Sequence, residues 1–181
     1  CVNESSIETH YLRWLCRQFG DEAGKLLFPA MKEYYKLCAQ RRPEFMGWTQ
    51  VELDKKKYNR GLSPIQDTEF SIHEISEYLG RYASISATVK KVEDIIPARL
   101  KDAYFAAILY PVLAADAHAR KLLLAQMARQ TGDAVAAEQS LEAYKEIKTL
   151  TERYNNDLAG GKWRNLMSMN PRNLPVFGMP D

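Results

Sequence analysis

The sequence is poor in nearly everything that announces a chemistry. It has three cysteines in 181 residues, Cys1, Cys16 and Cys38. An odd, widely spaced set builds no disulfide framework, so the fold must rest on its core. Cys16 and Cys38 stand among apolar helical residues, where a free thiol packs as a small hydrophobe. There are three histidines, His10, His73 and His118, and none pairs with another on a helical face. Asp116 and His118 are two apart and point to different sides of a helix. The converging ligands of a metal site are therefore missing. No Gly-x-Ser-x-Gly elbow and no glycine-rich phosphate loop occurs. Gly160-Gly161-Lys162 closes a helix instead of opening one, so it lacks the helix N-terminus that would hold a phosphate. Carboxylate neighbours such as Glu93-Asp94, or Glu74 and Glu77, fall on amphipathic helices, where they form a solvated face rather than an acid–base pair in a cleft. No catalytic residue, metal ligand or cofactor is assigned.

Charge of one sign is also lacking. Lys+Arg total 25 against Asp+Glu 23, a formal net charge of +2. Without a large basic field, nucleic acid is not an expected partner. Arg41-Arg42 and Lys55-Lys56-Lys57 are local clusters with only Trp48 and Tyr58 near them. They read as a helix C-terminus that favours cations and a solvated loop. The longest apolar run, Ala103 to Ala115, is shorter than the roughly 18 residues of a membrane span, so none is expected. Cys1 leaves two readings, a lipid-modified N-terminus or a cut within a longer polypeptide.

What is present is ordinary for one globular domain: 46% hydrophobic and 27% charged residues,. A chain of this length can bury a sizeable core unaided. Its dominant signal is helical periodicity. Ile72, Ile75, Leu79, Tyr82, Ser86, Val89, Val92 and Ile96 share one face of a helix of about seven turns. Ser71 with Glu74 forms a capping box before it, and Pro97 closes it. Ala137, Leu141, Tyr144, Ile147, Thr151, Tyr154 and Leu158 form the stripe of a last long helix. Asp133 is its N-cap, and Gly160 and Gly161 end it.

Between these two, Ala98 to about Thr131 is helical with a kink expected at Pro111. Its apolar face runs from Tyr104 and Phe105 to Met127. A first helix carries Ile7, Tyr11, Trp14, Leu15 and Phe19 and stops at Gly20. A second carries Leu26, Leu27, Ala30, Met31, Tyr34, Leu37 and Cys38, with Pro29 as a kink or a late start and Pro43 as its end. Glu44 to Phe70 reads as one long irregular connection. Ser168 to Asp181, with three prolines and a glycine, is a non-helical tail whose Leu174, Val176, Phe177 and Met179 need something to pack on. The expectation is an all-α bundle of about five mostly antiparallel helices over residues 1–167, with 168–181 an extended tail or a linker to a following domain.

One constellation stands out: Ala159-Gly160-Gly161-Lys162-Trp163-Arg164-Asn165-Leu166-Met167. A helix stop followed by cation, aromatic, cation and amide gathers sugar-competent side chains in one short turn. Lys162, Trp163, Arg164 and Asn165 are the candidate residues for contact with a substrate or a neighbouring domain. The plainer reading is a helix cap whose Trp163 folds back on the bundle.

The run Leu158-Ala159-Gly160-Gly161-Lys162-Trp163 resembles a hallmark of glycoside hydrolase family 115, the xylan α-glucuronidases. Tyr104-Phe105 through Leu109-Tyr110-Pro111-Val112 is similar to that family's helix with a Leu-Tyr-Pro-Val-type segment. Tyr11-Leu12-Arg13-Trp14 with Arg17-Gln18-Phe19-Gly20 resembles its opening helix. Leu37 through Glu44, with Arg41-Arg42-Pro43-Glu44, is similar to the next helix end. These pieces follow the family order over most of the chain, and the Gly-Gly-Lys-Trp run is the most specific. Two departures stand against it: Arg164-Asn165 replaces an Asn-His-type pair, and Met169 to Pro180 is only loosely like the family's aromatic-rich run.

The resemblance implies a multidomain enzyme that removes glucuronic acid, or its 4-O-methyl form, from xylan with inversion. Its catalytic carboxylates lie in a barrel-like domain that precedes the helical region, so none is carried over to this chain. The helical region then implies scaffolding, subunit contact including a homodimer, and an edge of the substrate cleft. Its partners would be the catalytic barrel and a β-sandwich of the same polypeptide, in a bacterial periplasm or outside the cell. The alternative is a stand-alone helical interaction or adaptor domain.

Overall fold

The structure, a computed structural model, describes residues 4–40, 46, 70–174 and 177–180. Met46 and Phe70 apart, the connection expected over Glu44–Phe70 lies outside the described residues, as do Cys1, Arg41-Arg42, Pro43 and Val176. Five long helices build the molecule: α1 (Glu4–Phe19), α2 (Asp21–Gln40), α3 (Ile72–Ile95), α4 (Tyr110–Thr131) and α5 (Ala134–Asn156). No strand occurs among the described residues. The chain is an all-α bundle, as the periodicity predicts.

Each helix packs antiparallel to the next. Glu8 pairs with Lys32 across α1 and α2, and Arg81 Nε donates to Glu33 at 2.6 Å across α2 and α3. Ser86 Oγ reaches Asp116 at 2.8 Å across α3 and α4. Arg120 Nη2 reaches Glu146 at 2.5 Å across α4 and α5. The α1–α2 turn needs Gly20, at φ 95. Their closest approach needs Gly24, because a Cβ there would stand 2.5 Å from the backbone nitrogen of Cys16. Pro29 lies inside an unbroken α2 that starts at Asp21, so it is not a late start.

The predicted caps form. Ser71 and Glu74 exchange both hydrogen bonds of the capping box. The Asp133 carboxylate accepts from the backbone N–H groups of Val135 and Ala136. These close donors that a helix N-terminus otherwise leaves unsatisfied. Pro111 acts through a different device from a simple kink. Without its N–H the ladder cannot run straight, and residues Phe105–Leu109 form a π-turn between a one-turn helix, Lys101–Tyr104, and α4,.

The α4 helix is the centre of the bundle. It is buried nearly all round, and its Leu113, Ala117, Leu124 and Ala125 join the predicted face in the core. Each such leucine contributes about 1.5–3 kcal/mol by leaving water. One expectation is corrected here. Ala137 and Leu141 of α5 are exposed, and the buried positions of its first turns are Ala136, Ser140 and Ala143. These small side chains let α5 lie close against α4, and Ser140 Oγ donates to the Lys121 carbonyl at 2.5 Å. Ile7, Trp14, Leu26 and Ile72, placed on apolar faces by spacing, are exposed as well.

Buried charge in the core is neutralised locally. Asp116, 5% exposed, accepts from Ser86 Oγ and from Arg120 Nε at 3.2 Å. Arg120 continues to Glu146, so three helices are tied by one polar chain. Burial lowers the Arg120 pKa, but its hydrogen bond to Glu146 and the charges of Asp116 and Glu146 outweigh this and raise it overall,. Lys121 is fully buried, and burial pushes its ammonium down to about 8. Its Nζ donates to the Gly178 carbonyl at 3.0 Å.

That bond belongs to the tail. Leu174 and Phe177 pack on the bundle core, and the Phe177 ring stacks on His118 with centroids 5.7 Å apart. Phe177 thus finds cover on α4 and Leu174 on the core of the same chain, while Met179 stays exposed.

Candidate interaction site

The α5 helix ends at Asn156, and the chain then passes through a run of tight turns. A 3-10 turn covers Leu158–Gly161, and Arg164 and Leu166 donate their N–H groups back to the carbonyls of Gly161 and Trp163. The left-handed stop begins one residue before the glycines. Ala159 holds φ 50 and ψ 41, followed by Gly160 at φ 64 and Gly161 at φ 79. Gly161 has a double reason: its φ, and the 3.0 Å that a Cβ would leave to the Asn156 carbonyl,. Asn165 is also left-handed, at φ 65. An alanine in this region costs about 1–2 kcal/mol, so its surroundings must hold it.

Two clamps do so. Asp102, at the start of the π-turn segment, accepts from the Ala159 N–H at 3.0 Å. Asn155 on α5 grips Met167 with both ends of its amide: Nδ2 donates to the Met167 carbonyl at 2.9 Å, and Oδ1 accepts from the Met167 N–H at 3.0 Å. Below them, Tyr110 and Tyr154 pack with ring centroids 4.8 Å apart, and the Arg153 guanidinium lies 4.0 Å over the Phe105 ring. Leu158 is buried and pins the first turn to the core.

On this base the four predicted residues are brought together, all of them exposed. Trp163 is 41% exposed, so the indole does not fold into the bundle. Lys162 Nζ sits 5.0 Å over its ring, a cation–π contact,. Leu166, 57% exposed, adds a second apolar group three residues on. Neither Lys162 nor Arg164 makes an ion pair among the described residues. The result is a rigid cationic and aromatic knob. It has donors and a ring face, and no carboxylate, thiol or imidazole within it to carry a proton or attack a bond.

Sequence reasoning missed Asp102 and Asn155, and it placed Leu166 in the constellation without counting it among the contact residues. Asp102 is remote in sequence. Asn155 lies within the helix, where an amide normally faces solvent, and only the fold of the following turn gives it two partners.

Elsewhere, a groove of about 380 Å³ between α2 and α3 is lined by Leu26, Pro29, Glu33, Arg81, Ile85 and Thr88 among others. Its two charges, Glu33 and Arg81, pair with each other at 2.6 Å. Among the described residues no three His, Cys, Asp or Glu side chains cluster as metal ligands, and no helix is long and apolar enough to cross a membrane. No protein-family model matches the chain, and no curated protein matches it.

Proposed function

We propose that this chain is a non-catalytic helical module of a multidomain glycoside hydrolase resembling the xylan α-glucuronidases of family 115. It serves as scaffold, provides subunit contact and lends an edge to the substrate cleft. The observation that carries this reading is the turn after α5. The residues that bear the resemblance, Leu158 to Trp163, are spent on building a clamped turn that turns Lys162, Trp163, Arg164 and Asn165 outward.

The test is the mass of the native gene product, read by immunoblot with antibody to this chain. A band several times larger than 20.7 kDa is expected. A band near 20.7 kDa would replace the module reading with that of a stand-alone bundle. The isolated chain is also expected to release no uronic acid from glucuronoxylan.

A further inference from the structure

We infer that the tail is a strap that opens and closes as one piece on α4, hinged after Met167 and caught at Lys121. The piece is defined by where its hydrogen bonds go. In the described parts of the tail, 168–174 and 177–180, the Asn170 N–H reaches the Ser168 hydroxyl. The N–H groups of Asn173, Leu174 and Phe177 reach the carbonyls of Asn170, Pro171 and Leu174. Turns closed between near neighbours travel with the segment that contains them. The hinge is defined by what holds the chain on either side of it. Met167 is gripped twice by Asn155. Beyond it, no described side chain from Ser168 to Asn173 is buried. Lifting the chain from that point disturbs nothing in the core before Leu174.

What the strap covers is polar. Lys121 Nζ donates to the Gly178 carbonyl at 3.0 Å, and its nearest ring is Tyr144 of α5, 6.0 Å away. One turn back on α4 the His118 ring stacks on Phe177. Lys121 is 0% and His118 7% exposed beneath this cover. The apolar anchors are modest. Pro180 is buried, but Leu174 and Phe177 are only half-buried. Against them stands the ammonium, which burial pushes down to about 8, a cost that closing incurs and opening removes,. A segment with few apolar contacts, opposed by a buried cation, opens at a lower free energy than the helices under it. Open, the strap presents an ammonium and an imidazole one turn apart on α4, and closed it withdraws both. The inference goes beyond the module reading and holds equally for a stand-alone bundle.

The experiment labels amines and imidazoles of the full chain over a urea series, maps the label by peptide mass spectrometry and records helical circular dichroism on the same samples. Exposed Lys91 and His73 are the internal references. Lys121 and His118 are expected to gain label together, at urea concentrations where the helical signal is still native. Phe177→Ala should raise both rates at least tenfold and leave the circular-dichroism midpoint and the two references unchanged. Met179→Ala, which trims an exposed side chain, should alter neither rate. Three results would overturn the inference. In the first, label on Lys121 and His118 tracks the loss of helix throughout, so the tail is part of the core. In the second, Phe177→Ala unfolds the bundle or lowers its midpoint together with the labelling. In the third, Phe177→Ala frees His118 and leaves Lys121 protected, so the two contacts do not belong to one moving piece.

Discussion

The centre of α4 and the turn after α5 treat charge and strain in opposite ways. Around Asp116 both carboxylate oxygens have a donor, Ser86 and Asp116 are buried with Arg120 and Glu146 half-buried beside them, and the polar chain from Ser86 through Arg120 to Glu146 ties three helices together. Around Trp163 the cations are exposed and unmatched by acids among the described residues, and two non-glycine residues hold left-handed backbone. The first region spends its chemistry on the fold. The second is held in place by the fold, through Asp102 and Asn155, and leaves its chemistry facing outward. Structure that stabilises and structure that presents can thus be told apart by asking where each polar group is satisfied.

The comparison breaks first at its buried end. Asp116→Ala should cost about 3 kcal/mol, since it strands the Ser86 hydroxyl and leaves Arg120 with Glu146 alone. Urea unfolding would read this, and a cost below about 1 kcal/mol would mean that the network does not hold the helices.

Lys121 sharpens the same end through pH. Its folded-state pKa lies below the ordinary lysine value, so between about 8 and 10 the unfolded chain binds more protons than the folded one,. Stability from this group is therefore absent below about 8 and rises as pH climbs. Above about 10 the trend reverses. Burial raises the phenols of Tyr11, Tyr34, Tyr82 and Tyr104, so the unfolded chain loses tyrosine protons first and stability falls,. Lys121→Met should remove the rise and keep the fall. A flat profile in the parent chain between pH 8 and 10 would contradict the buried ammonium.

At the presenting end the effects are smaller. Ala159→Gly should raise stability by up to about 1 kcal/mol, because glycine accepts φ 50 without penalty and keeps the N–H that Asp102 uses,. The gain is reduced by the extra freedom of glycine in the unfolded chain. A loss of more than about 1 kcal/mol would mean that the alanine methyl is packed rather than strained.

Much of the fold is legible in the sequence, and the reasons are local. Ser71 with Glu74, and Asp133, declare their helix starts because a cap is a contact between near neighbours. The face of α3 is legible because polar residues on its other side make the period visible. On α5 the period misleads. Its buried residues next to α4 are Ala136, Ser140 and Ala143, and small or hydroxylated side chains carry little hydrophobic signal, so the larger Leu141 draws the stripe one position off. For α4 the difficulty is the reverse. A helix buried all round shows no preferred face, and nothing local reveals that Lys121 and His118 are covered by the tail. At the candidate site the exposed residues are legible as a cluster of types at a helix stop. Their supports are not, because the partner of Asp102 is set by how the end of α5 lies on the one-turn helix Lys101–Tyr104, and those of Asn155 by the fold of the following turn.

A contact role for this turn requires Trp163 to be presented rather than packed, and Trp163→Ala tests this most directly. Urea midpoints of the parent and variant chains, converted with a common slope, should agree to within about 0.5 kcal/mol. A loss of about 3 kcal/mol or more, the cost of emptying a core site, would show that the indole holds the bundle together and that the turn is not a contact surface.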